Sequence, residues 1–153
     1  IYGTRQFGVE DQGWVAWFAI AAVTGQPITL YGDGKQVRDV LFVDDLIDCY
    51  KQAVERIEQV SGQIYNIGGG PTNALGVLEC VHRLEQLLGK RIPYRFDGWR
   101  PGDQRLFICD ISRAEVELGW HPRIGIDDGL HRLVAWVTEH EAEFAPELGA
   151  VKR

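Results

Sequence analysis

The chain has no methionine and opens on Ile1. A natural full-length chain needs an initiator, so the expectation is a fragment or a processed product. Long apolar runs are missing too. The longest is the ten residues from Trp14 to Val23, whereas crossing a bilayer takes about 20. That run reads as a buried helix, and no membrane partner is expected. No basic segment followed by an apolar one opens the chain, so no signal peptide is read. Cysteine is scarce, with Cys49, Cys80 and Cys109 far apart. An odd, sparse set argues against a disulfide framework and for a reducing, cytoplasmic setting. Positive charge is short: 16 Lys and Arg against 22 Asp and Glu give a net charge of −6. Beyond the basic tail there is no cluster of cations, so nucleic acid is not an expected partner. Small anions are not excluded, because they need only one or two placed arginines.

Several catalytic and cofactor signatures are also missing. His82, His121, His131 and His140 share no metal-ligand spacing, and Cys80 and His82 are too close for adjacent helical turns. No metal is expected. The chain has no G-x-x-x-x-G-K-[ST] loop and no G-x-S-x-G elbow, and no Tyr-x-x-x-Lys acid/base pair is read. Gly32 and Gly34 lack the third glycine of a dinucleotide loop, and Pro71 breaks the spacing after Gly68-Gly69-Gly70. Both glycine groups read as turns.

What remains is a chain of 153 residues, 45% apolar and 25% charged, enough for one modest domain. Trp14–Thr24 reads as a helix stopped by Gly25 and Pro27. Ile28–Tyr31 reads as a strand, and Val37–Val43 as a second extended stretch. Asp44 caps a helix to about Ile57, its inward stripe being Leu46, Tyr50, Ala53, Val54 and Ile57. Gln63–Ile67 reads as a strand of a parallel sheet that this chain cannot complete alone. Thr72 or Asn73 caps a helix to Leu88, with Leu75, Leu78, Val81, Leu84 and Leu88 inward. Pro93–Phe96 and Arg105–Cys109 follow as strands. Ser112 and Glu115 form a capping box for a short helix ending at Gly119. Asp127 caps the last helix, which turns Leu130, Leu133, Val134 and Val137 inward and frays from Glu143.

Three segments place polar groups at the ends of apolar strands: Tyr31–Asp45 (YGDGKQVRDVLFVDD), Tyr65–Gly70 (YNIGGG) and Trp99–Asp110 (WRPGDQRLFICD). Arg38 stands in an otherwise apolar stretch, where an unpaired guanidinium is costly. It either pairs with Asp39 or Asp45, or faces an anion in a cleft, and its fork suits a diphosphate.

These segments resemble the C-terminal half of the extended short-chain dehydrogenase/reductases that act on nucleotide-sugars, along the whole chain and in order. The opening Tyr2-Gly3-x-Arg5-Gln6-Phe7 and Asp11-Gln12-Gly13-Trp14 are similar to the CDP-sugar 2-epimerase subgroup (CDP-paratose or CDP-tyvelose epimerases). The resemblance implies an α/β fold: the C-terminal substrate-binding part of such an enzyme, residues 1–153 as one unit, with trailing strands of an incomplete Rossmann sheet. It implies that Tyr31 lies near a base, that Arg38 grips a diphosphate, and that Arg100 and Asp103 belong to a loop closing over the nucleotide. Asn66 either lies near the diphosphate or makes an Asx-turn into Gly68. Arg100 and Asp103 would otherwise form a mutual surface ion pair.

In that family the NAD-binding half carries the glycine fingerprint and the Tyr-x-x-x-Lys pair, and neither is read here. The parent would be an NAD-dependent epimerase, and this chain alone would bind no NAD tightly and hold no catalytic residue. Its expected ligand is a nucleotide-diphosphate sugar, CDP-linked by preference, and its expected state is a homo-oligomer. The rivals are part of a nucleotide-sugar 4,6-dehydratase or 4-epimerase, or a catalytically inactive self-associating module.

Overall fold

Gly25 ends the first helix as the sequence indicates. In the computed structural model, which describes residues 1–144, helix α1 (Trp14–Thr24) stops where Gly25 turns left-handed at φ 75° and donates its N–H to Ala21 O. Helix α1 is apolar on every side and buries seven residues, from Val15 to Ala22, as a central helix must. Helices α4 (Val77–Leu88) and α6 (Ile126–Glu139) pack on it. Leu130, Leu133, Val134 and Val137 of α6 are all buried, as their spacing predicts.

Two small sheets flank this core. Strand β1 (Ile28–Tyr31) pairs in parallel with β4 (Tyr94–Asp97), Ile28 opposite Tyr94 and Tyr31 opposite Asp97. The second sheet has β2 (Val37–Asp39) at its centre. It runs antiparallel to β3 (Ala74–Gly76) and parallel to β5 (Leu106–Phe107). Tyr2 bridges Phe42 in parallel, donating its N–H to Leu41 O and accepting from Val43 N–H.

A second, smaller core lies under α2 (Val43–Glu55), the short α3 (Ile57–Val60) and α5 (Ser112–Leu118). It is built on Leu41, Cys49, Val60, Leu118 and the fully buried Trp120. The Trp120 indole N–H donates to Asp45 O at 2.9 Å, and the Asp45 carboxylate accepts Ile124 N–H at 3.0 Å. Asp45 is therefore buried with both its polar ends used. No helix among the described residues is long and apolar enough to cross a membrane.

Several expectations are corrected. Residues 63–67 form no ladder among the described residues, because a strand needs a neighbour. Side chains hold the segment instead: Arg113 donates to Ile64 O at 3.0 Å and to the Gln63 amide oxygen at 2.5 Å. With no sheet there, the stripe read on α2 divides: Leu46 and Ala53 pack on the second core, and the other three positions face outward. Tyr50, Val54 and Ile57 are 62%, 70% and 56% exposed, and Ile64 is 82% exposed. Helix α2 buries Asp45 and Cys49, the side that Trp120 covers.

The caps also move. Helix α2 begins after Phe42, and Asp44 and Asp45 lie in its first turn. Helix α4 begins after Gly76, whose N–H is taken by the Glu79 carboxylate, because residues 71–76 are used for a 3₁₀ turn (Pro71–Asn73) and β3. Leu75 is accordingly buried from a strand, and Cys80, Val81 and Leu84 line the helix's inner face. Ser112 is the first residue of α5 rather than its cap, and its N–H goes to the Asp110 carboxylate. Gly125, not Asp127, precedes α6. Glu141–Phe144 form a last helical turn (α7) with Phe144 buried, so Glu143 is not frayed. The rest of the tail lies outside the described residues.

Candidate functional site

Between α1, β1, β2 and the loop at residues 99–103 lies a cavity of about 340 Å³. Trp14, Phe18, Leu30 and Val77 form its apolar wall. Its polar groups come from three places. Strand β1 ends in Tyr31. The turn after it leads through Gln36 into β2 and Arg38. The 99–103 loop brings Arg100 and Asp103. Trp99 docks this loop on the turn after β1: Gly32 has φ 78°, and a Cβ there would stand 2.8 Å from the indole. Only glycine admits both that backbone and that approach.

Arg38 pairs with neither Asp39 nor Asp45. Its guanidinium donates to Asp103 at 2.8 Å, with both side chains about a quarter exposed (23% and 24%), and to Val37 O at 2.9 Å. Asp39 instead accepts Gly70 N–H at 3.1 Å. Arg100 and Asp103 do not pair with each other through their side chains. Arg100 donates to Asp11 at 2.8 Å and lies 3.7 Å above the Tyr31 ring, a cation–π geometry. Contact with Tyr31, then the nearby Asp11 and Glu10 charges, push its pKa further above the usual arginine value. The Tyr31 hydroxyl donates to Glu10 at 3.0 Å. Tyr31, Arg38, Arg100 and Asp103 therefore converge on one cavity.

Asn66 does not join them. It is exposed and lies outside the cavity lining. The glycines after it are packing residues. A Cβ on Gly69 would stand 2.2 Å from Val40 O, and one on Gly68 would stand 2.4 Å from the Asp39 carboxylate. The loop is pressed against the chain just after β2, leaving no open backbone cradle for a phosphate. One spacing passed over in the sequence is corrected as well. Tyr31 and Lys35 do stand four apart, but across a turn rather than along a helix. The Tyr31 hydroxyl turns to Glu10, and Lys35 N–H donates to Asp33. They are not an acid/base pair.

Gln36, Glu10 and Trp14 also line the cavity. Gln36 is 3% exposed. Its amide N–H groups donate to Tyr31 O at 2.5 Å and to Asp103 at 3.1 Å, and its buried amide oxygen has no partner among the described residues. It ties the turn to the Arg100 loop. Glu10 and Trp14 line the cavity from the N-terminal side. The motif around Arg38 contains Gln36, so that signal was present. Nothing local marked Glu10.

A guanidinium beside a ring-lined slot, with carboxylates to orient polar groups, suits a ligand that joins an anion to a planar ring. The fold points the same way. It is the α/β fold of the nucleotide-sugar epimerases: the chain superposes on UDP-glucose 4-epimerase from Thermotoga maritima, solved with UDP-glucose, at TM-score 0.81 and 30% identity, over 92% of this chain and 44% of that one. Residues 1–68 match the NAD dependent epimerase/dehydratase family, so this part of the chain carries that family's domain. Among curated relatives it is 38% identical to CDP-paratose 2-epimerase of Salmonella typhi over 90% of this chain and 42% of that protein. It is 32% identical to dTDP-glucose 4,6-dehydratase of Neisseria gonorrhoeae over 92% of this chain and 42% of that protein. The chain thus spans under half the length of these relatives.

Proposed function

We propose that this chain is the nucleotide-sugar-binding portion of an NAD-dependent nucleotide-sugar epimerase, of the kind that acts at C2 of a CDP-linked sugar. The single observation that carries the reading is the convergence of Arg38 and Tyr31 on one cavity. Arg38 takes the diphosphate, the aromatic wall takes the base, and Asp103 and Arg100 close the loop over them. CDP-paratose 2-epimerase is 38% identical over 90% of the chain, against 32% over 92% for the dehydratase, which favours the 2-epimerase reading over the dehydratase one. Asn66 plays no part in this pocket.

The glycine loop at Gly68–Gly70 does not fit a dinucleotide phosphate, since it is pressed against Asp39 and Val40. In this reading NAD and the groups that move the proton belong to the remainder of the parent protein. NAD would supply transient hydride removal and return at the sugar carbon, while this chain holds the nucleotide end in place. We place the protein in the cytoplasm, in keeping with three cysteines that are all unpaired. We further propose that the exposed face of Tyr50, Val54, Ile57 and Ile64 is an interface, which the 153-residue chain on its own covers with a second copy.

Titration calorimetry and NADH fluorescence test the proposal together. Saturable CDP binding with no fluorescence enhancement at micromolar NADH is expected. Absence of CDP binding overturns the ligand, and NADH enhancement overturns the assignment of the cofactor to the remainder.

A further inference from the structure

We propose that Glu10 reads the base and selects cytosine over uracil and thymine. The inference rests on the nucleotide-pocket reading and adds the group that tells one pyrimidine from another. Glu10 and Arg38 line the same cavity, yet no ion pair joins them: Arg38 pairs with Asp103, and Glu10 is taken by Tyr31. The cavity therefore offers a cation for the diphosphate and, separately, a carboxylate.

The carboxylate is oriented. The Tyr31 hydroxyl fixes one oxygen at 3.0 Å, and the second oxygen makes no hydrogen bond among the described residues. Arg100 does not claim it. Its guanidinium lies over the Tyr31 ring, pairs with Asp11, and reaches only the Glu10 backbone oxygen, at 3.4 Å. One acceptor is thus left over, beside a wall of Trp14, Phe18 and Tyr31 that suits a flat ring.

A carboxylate accepts and cannot donate. Cytosine presents an amino group at C4, which donates. Uracil and thymine present a carbonyl there, which would face the carboxylate lone pairs. Uracil could offer only its single N3–H, with its O4 held beside the same negative charge. Carboxylate recognition of the cytosine amino group is an established pairing, and one good base contact gives roughly tenfold discrimination or more.

The test is calorimetric titration of the wild type, Glu10→Gln and Glu10→Ala with CDP, UDP and dTDP, each protein checked by near-UV circular dichroism. The expected wild-type preference for CDP over UDP is about tenfold or more. Glu10→Gln can turn its amide to donate to O4, so the ratio should fall to within about threefold. Glu10→Ala should lower CDP affinity to about the UDP level. A wild type that binds CDP and UDP alike, or a Glu10→Gln ratio equal to that of the wild type, overturns the base assignment and leaves the pocket reading standing. A wild type that binds none of the three overturns the pocket reading and the base assignment with it.

Discussion

Arg38 and Asp103 meet at 2.8 Å although 65 residues separate them in the chain. The pair ties the central strand of one sheet to the loop that rims the cavity. Gln36 strengthens the tie by donating to the other Asp103 oxygen. Asp103 thus holds the Arg38 guanidinium where an anion would meet it, so the positive group is placed before any ligand arrives. Both side chains are partly solvated, and an ion pair of that kind adds at most about 1 kcal/mol to stability. Its consequence lies in positioning.

Gln36→Leu keeps the side-chain volume and removes both donated hydrogen bonds, leaving Tyr31 O and one Asp103 oxygen without their donor. The expected loss is about 1–3 kcal/mol of stability, read as a lower urea midpoint. CDP affinity should fall with it, because the 99–103 loop is no longer tied to the turn. An unchanged midpoint and affinity would show that the amide is a bystander.

Trp120 is fully buried, and its indole N–H reaches Asp45 O. Trp120→Ala should cost about 3–5 kcal/mol, the range for emptying a large aromatic site. Trp120→Phe should cost less, since it retains part of the packing and loses the hydrogen bond. Equal midpoints for the two variants would contradict the packing account of the second core.

Burial pushes the Cys80 thiol up to about 12 from an ordinary 9.0, and burial also raises Cys49 and Tyr2. In each case the folded chain holds its proton more tightly than the unfolded one. The stability these groups contribute is therefore full below pH 9 and falls as pH rises toward 12. The urea midpoint should drop between pH 9 and about 12, and Cys80→Ala should flatten that drop. A midpoint constant over that range would contradict the burial of these groups.

Tyr50, Val54, Ile57 and Ile64 are apolar side chains left exposed among the described residues. Light scattering at high micromolar concentration should report a mass near twice 17.2 kDa, and Val54→Glu should return it to the monomer. A monomeric wild type with a native near-UV tryptophan signal would defeat self-association.

How much of this was legible in the sequence depends on where each signal resides. Helices α1 and α6 carry their own evidence, in apolar spacing and in Gly25. Residues 63–67 have strand composition, but a ladder is made by two segments, and composition cannot supply the second. The α2 stripe is inward only at Leu46 and Ala53 for the same reason: which side is inner is decided by Trp120, which lies far along the chain. At the site, the motifs named Tyr31, Arg38, Arg100 and Asp103, which the fold brings to one cavity, but not their pairing. A guanidinium among apolar residues announces that it needs an anion, and the choice of Asp103 over its neighbours Asp39 and Asp45 was made by the fold. Gln36 lay in view within the motif, yet its role exists only once Tyr31 O and Asp103 are both in place.

The central claim is that Arg38 is the anion contact of a nucleotide pocket. Calorimetric titration of the wild type and Arg38→Ala with CDP tests it most directly. Arg38→Ala is expected to bind CDP about 1.5–3 kcal/mol more weakly, the range for a charged hydrogen bond, and to keep the wild-type near-UV spectrum. Equal CDP affinity for the two proteins would contradict it.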